Sequence, residues 1–206
     1  MGNGLRRKNP IMKSNVCKVK GNDEDLKMVL SEVEKAASYN GLEKKKTLQL
    51  MLLAEELIGI QKGILGFVKG DFYVESNDDE YKLCLHADIH TDVITQERFI
   101  EMSTNNKNEA TKGILGKIKY VANCLASGNV PTTPEQSIFY MPLGSSNLGT
   151  DVTYDNVWSL GNYRSTVEKG TSVWDELEHS IVANIADDLL VGATANYIDL
   201  IAVKMF

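Results

Sequence analysis

Three groups of residues have the types and spacing to do chemistry. The first surrounds Glu56, in the run LQLMLLAEELIGIQKGILG at 48–66, where Leu50, Leu53, Leu57, Ile60 and Ile64 recur in steps of three and four. That is the period of a helix with one apolar face. Glu56 falls at the edge of the stripe and Glu55 nearly opposite, while Gly59, Gly63 and Gly66 form a small-residue strip close to Glu56. A carboxylate beside glycines leaves room for a second backbone or a ligand. The second group is Cys84, His86, Asp88 and His90, which share one face of a strand-like segment. His86 with Asp88, or Asp88 with His90, has the spacing of two zinc ligands on a strand. Further ligands would have to come from elsewhere, and His179 is the one other histidine. Solvated strand residues are the plainer reading, and a Cys84–His86 nucleophile pair is weaker still, since neighbours on one strand face seldom reach each other. The third group is Lys107, Asn108, Lys112, Gly113, Gly116 and Lys117, which bring cations, an amide and two glycines to a helix start. Free backbone N–H groups there, with lysines nearby, make an anion site. Inside an established helix the same amides are already bonded, and the segment is an amphipathic helix burying Ile114, Leu115 and Ile118.

The elements that must position these groups are legible in outline. A short strand is expected within 15–20, and Asn22 then opens a helix with Asp23, Glu24 and Asp25 in its first turn, where they suit the dipole. Leu26, Val29, Leu30 and Val33 give that helix its buried face, Asn40-Gly41 ends it, and the long central helix begins near Leu42. Strands at 71–76 and 80–89 flank the turn Asn77-Asp78-Asp79. Helices are expected at about 95–102, 109–125 and 173–189, the last with Trp174, Leu177, Ile181, Ile185 and Leu189 on one face. Asp187 and Asp188, at its C-terminal end, oppose the helix dipole and call for an N–H or a basic partner. A final strand at 196–204 is apolar on both faces and so belongs inside a sheet. The stretch 126–153 holds three of the four prolines and little periodicity, so 126–170 reads as an insertion. The expected organisation is one α+β domain over 15–206, helices layered on a mainly antiparallel sheet in two layers, after a flexible segment at 1–14.

Composition narrows the function. A chain of 206 residues with 43% hydrophobic and 24% charged residues suits one globular domain. Its net charge of −6, with both signs interspersed, argues against nucleic acid as the main partner. No segment approaches the roughly 20 apolar residues of a membrane span, and no hydrophobic region follows Arg6-Arg7-Lys8 to make a secretory signal. Three widely spaced cysteines, Cys17, Cys84 and Cys124, in apolar-patterned segments read as buried free thiols and a cytoplasmic setting.

The order of parts carries a resemblance. An acidic pair on a helix (LLAEEL), a hairpin, an Asp after its second strand and a Gly-Lys-rich helix opening (NKNEATKGILGKI) resemble the Bergerat-type ATP-binding domain. That histidine-kinase-like fold is shared by histidine kinases, gyrase-type and MutL-type ATPases and the bacterial anti-sigma-factor serine kinases. The C-terminal DELEHSIVANIADDLLVGATANYIDLIAVKMF looks like the last helix and strand of the anti-sigma-factor branch. The resemblance covers about 15–125 and 171–206. It implies a catalytic role for Glu56, orienting or activating a water or hydroxyl near the γ-phosphate, and adenine recognition by Asp88. It implies ATP phosphates held around Lys107, Asn108, Lys112, Gly113 and Gly116.

Two departures are visible. The family's Mg²⁺-binding Asn falls at Ile60, which has no oxygen to offer a hard cation, so no metal ligand is assigned. Ile89-His90-Thr91 follows Asp88 without a glycine, and Asp88 shares a strand face with Cys84 and His86. If Leu83, Leu85 and Ala87 face the helices, Asp88 points away from them unless a bulge intervenes. The expected function is therefore a regulatory or protein-interaction domain with a degenerate nucleotide site, whose partner is of sigma-factor or anti-anti-sigma type. The alternatives are an active serine kinase or ATPase using Glu56, with Mg²⁺ on Gln61 or Asn108, and an unrelated structural domain, with homodimerisation open in each case.

Overall fold

A computed structural model of the chain describes residues 11–20, 22–65, 69–88, 114–128, 140–142, 156–171, 174 and 177–206. Helix α1, Asp23–Tyr39, starts where the acidic run predicts it. Asn22 accepts from the Asp25 amide at 2.8 Å while the Asp25 carboxylate accepts from the Asn22 amide at 3.2 Å, a reciprocal capping box. The helix closes on Gly41, whose φ of 66° lets the Gly41 and Leu42 amides return to Ser38 and Ala37. Asn40 then reaches across to the Ser76 hydroxyl at 3.1 Å and ties this end of α1 to the sheet. Helix α2, Lys44–Leu65, buries Leu50, Leu53, Leu57 and Ile60 at 5% exposure or less, so the long apolar stripe is the side that meets the core.

The sheet takes strands from the whole chain: β1 Met12–Lys13, β2 Cys17–Val19, β3 Gly70–Asn77, β4 Glu80–Asp88, β5 Tyr140–Pro142, β6 Asn156–Ser159, β7 Asp188–Ala193 and β8 Tyr197–Met205. Their order is β1-β3-β4-β8-β7-β6-β5, with β2 also on β3, and every described pair is antiparallel. The hairpin β3–β4 turns at Asp78, whose φ of 53° is left-handed backbone that Asp tolerates better than most residues. The expected final strand lies between β4 and β7, inside the sheet.

Three further helices are α3 Ile114–Ala126, α4 Leu160–Thr166 and α5 Ile181–Ile185. Residues from all five helices join one core cluster with the strand face that carries Phe72, Val74, Leu83, Leu85, Leu200 and Ala202. The fold is thus mixed α and β with a mainly antiparallel sheet, as expected. A smaller cluster on the alternate strand positions gathers Tyr73, Cys84 and Ile201 with Leu190 and Val203.

The expected helix at 173–189 holds at Trp174, Leu177 and Glu178, which are helical, and is corrected beyond them. Ser180 caps a new short helix by accepting from the Ala183 amide at 3.2 Å, and Ala186 is already extended. Beyond it, Leu189, Val191 and Ala193 are buried on alternate positions of β7, which is inserted between β6 and β8. Leu189 had fitted a helical stripe, but pairing on both sides outweighs that period. Ile181, expected on the buried face, is 40% exposed. The stretch read as an insertion supplies β5, β6 and α4, with Val157 and Trp158 fully buried, while Met12 and Lys13 of the expected N-terminal segment pair with Ser76 and Glu75. The helix expected at 95–102 lies outside the described residues.

The acidic pair finds the partners its placement demands. Asp188 accepts from the Ser159 hydroxyl at 2.7 Å and from the Gly161 and Leu189 amides at 2.8 Å, joining β6, α4 and β7. A side chain at 161 would press on that carboxylate, since an added Cβ would stand 3.3 Å from its Cγ. Asp187 accepts from the Met205 amide at 2.7 Å and pairs with Lys204 at 3.2 Å. Replacing Asp188 by Ala leaves three donors to find new acceptors, so urea unfolding should show a loss of about 3 kcal/mol.

Candidate functional site

Glu56 sits half-buried on α2, one position from the fully buried Leu57. Burial pushes its carboxyl above the ordinary carboxylate value, and the neighbouring Glu55 charge adds to the rise. At Gly59, the described glycine nearest to it, no second backbone comes close. Gly59 and Gly63 are exposed, and a Cβ built on Gly59 would meet nothing within 4 Å. Gly66 and the Ile64 side chain lie outside the described residues. One turn from Glu56, Ile60 is turned into the core at 5% exposure.

Gln61, fully buried, faces the base of the hairpin instead. Its Nε2 lies 3.2 Å from where a Cβ on Gly70 would stand, and that Cβ would also come within 2.7 Å of the His86 carbonyl oxygen. Gly70 is therefore required by close approach: any side chain there would collide with backbone.

Asp88 stands on the other side of the sheet. Leu83, Leu85 and Ala87 belong to the cluster that includes all five helices, and β4 pairs with β3 and β8 in unbroken register from Glu80 to at least Ala87. No bulge re-aims the strand, so Cys84, His86 and Asp88 alternate onto the face away from the helix layer. Glu56 and Asp88 are not brought to one layer. Lys107, Asn108, Lys112, Gly113 and His90 lie outside the described residues. Gly116 is buried in the first turn of α3. Lys117, next to it, lies over the Tyr163 ring at 4.9 Å and the Tyr120 ring at 5.7 Å, and burial lowers its ammonium below the ordinary lysine value.

The second face carries a pair that the spacing of residues along the chain did not expose. His86 and Asp199 are direct partners across β4 and β8, with His86 Nδ1 2.6 Å from the Asp199 carboxylate. Asp199 is 1% exposed, and the Tyr197 ring stacks on His86 at 5.2 Å between centroids. One signal was present in the sequence: an Asp in a strand placed inside a sheet must find a partner. Alternation showed that Asp199 shares a face with Ile201 and Val203, but not which residue of which strand would oppose it.

Nucleophilic and metal chemistry receive little from this face. Cys84 is 1% exposed, and burial, with Glu75 adding to it, pushes its thiol up to about 12, so it stays protonated at neutral pH. Burial and the nearby Cys84 raise the Tyr73 hydroxyl as well. No group of three or more His, Cys, Asp or Glu side chains is placed to hold a metal among the described residues. Cys17, Cys84 and Cys124 are free thiols, the first two buried and the third half-buried. No helix among the described residues is long and apolar enough to cross a membrane. No protein-family model matches the chain, and no curated protein matches it.

The raised carboxyl of Glu56 makes a signed prediction. Its folded-state value lies above the unfolded one, so the native state binds the extra proton and stability falls as pH rises through that interval. Glu56→Gln should therefore raise the urea midpoint at pH 7 relative to the parent. The gain should vanish below about pH 3, where the carboxyl is protonated in the folded and the unfolded chain alike.

Proposed function

We propose that the chain is a cytoplasmic regulatory or protein-interaction domain, similar to an anti-sigma-factor ATP-binding domain, with a degenerate nucleotide site. The observation that carries this reading is the placement of Ile60. The helix that holds Glu56 presents an isoleucine where the family keeps its Mg²⁺ ligand, and that side chain is buried in the apolar core. A hard cation needs oxygen donors and water around it, and an isoleucine packed on leucines supplies neither. Asp88 adds to it, since it stands on the opposite sheet face from the layer in which Glu56 lies.

The layered arrangement supports the same reading without carrying it. Helices on one face of an antiparallel sheet, a long helix with an acidic pair before a hairpin and a final central strand follow the order the resemblance implies. With turnover lost, the remaining role is recognition of a protein of sigma-factor or anti-anti-sigma type.

Isothermal titration of the intact chain with ATP, with and without Mg²⁺, tests the reading. The expected result is no binding tighter than about 1 mM and no heat that depends on Mg²⁺. Tighter Mg²⁺-dependent binding that disappears in Glu56→Ala and Lys112→Ala would overturn it in favour of an active serine kinase or ATPase. Cross-linking in the source cells should recover a sigma factor or one of its regulators, and solution mass reports whether the domain is a homodimer.

A further inference from the structure

The centre of the sheet contains an ion pair that none of the nucleotide chemistry uses. β4 and β8 run side by side, and His86 and Asp199 meet there as direct cross-strand partners at 2.6 Å. The Asp199 side chain is 1% exposed and the His86 side chain 22%, so the carboxylate is interior and the imidazole forms its path to solvent. A carboxylate in that position needs a charged or strongly donating partner, because solvation by water is not available to it.

The charges around His86 are almost all of one sign. Asp71 of β3 is its partner on the other side and shares its own charge with Lys18 of β2 at 2.7 Å. Asp88 lies two residues further along β4. From β8 come Asp199 and Tyr197, the latter stacked on the imidazole, and Gly192 of β7 lies opposite Asp199 without a side chain. In the neighbouring row Tyr73 and Cys84 both stay neutral, as their raised values require. Three carboxylates thus face one imidazole, and histidine is the one side chain among them whose ordinary titration falls near neutrality.

We propose that His86 and Asp199 form a pH-sensitive latch across the central strands β4 and β8, closed when the imidazole is charged and weakened when it is neutral. The Asp199 hydrogen bond raises the imidazole above its ordinary value. Partial burial of the ring works against it, and the charges of Asp199, Asp88 and Asp71 work with it. The sign follows from linkage. A histidine whose folded value exceeds its unfolded value, about 6.5, contributes its full stabilisation below that pH. The contribution is then lost as pH rises through the folded value. The latch therefore loosens on the alkaline side.

The test uses the intact chain with labelled imidazoles, following His86 by NMR from pH 5 to 9 and measuring urea stability over the same range. His86→Gln assigns the resonance and Asp199→Asn removes the acceptor charge. The expected result is a His86 midpoint above 6.5, shifted down in Asp199→Asn, with a stability decline from pH 6.5 upward that His86→Gln abolishes. A His86 midpoint at or below 6.5 in the parent overturns the latch, and so does an equal decline in His86→Gln. If either variant fails to fold, the parent's midpoint alone decides. None of these readouts depends on nucleotide, so failure here is separate from failure of the proposed function.

Discussion

The burial of one stripe of α2 against one face of the sheet is the constraint from which the other placements follow. Leu50, Leu53, Leu57 and Ile60 lie on that stripe, and Leu83, Leu85 and Leu200 lie on the sheet face of the same core cluster. Fully burying each such side chain contributes about 1.5–3 kcal/mol, so rotating the helix to expose all four would cost about as much as the net stability of an ordinary domain. With that rotation set, Ile60 must point inward and Glu56 must stand at the edge. The half-buried setting of Glu56 and the burial of Ile60 are two consequences of one packing decision.

Around that core, polar groups act as fasteners at the points where elements change. The Asn22–Asp25 capping box starts α1, Asn40 ties its end to Ser76, and Asp188 joins β6, α4 and β7 through three donors. Each satisfies backbone or hydroxyl groups that the turn would otherwise leave unbonded. Asp188 also accounts for the glycine at 161, where a Cβ would crowd the carboxylate. Strand β6 is held in the sheet by such contacts and by the burial of Val157 and Trp158.

The two sheet faces have different electrostatic characters. One is apolar and joined to the helices, while the other sets the His86–Asp199 pair beside Tyr73, Cys84 and Ile201. Low local dielectric makes the thiol and the phenol stay neutral, which removes Cys84 as a nucleophile.

Local patterns determined the elements whose period or end signals were strong. Asn22 with its acidic turn, the Gly41 stop, the hairpin about Asp78, the stripe of α2 and the interior position of the last strand were all legible, because each rests on neighbours within a few residues. The segment after Ser180 was not, since Leu189 satisfies a helical period and a strand period alike and only pairing with β6 and β8 chooses between them. The sequence also placed Cys84, His86 and Asp88 on one strand face, and the unbroken register of β4 bears that out. What it did not contain was register between distant strands. His86 and Asp199 lie 113 positions apart, and only the tertiary pairing of β4 with β8 makes them partners.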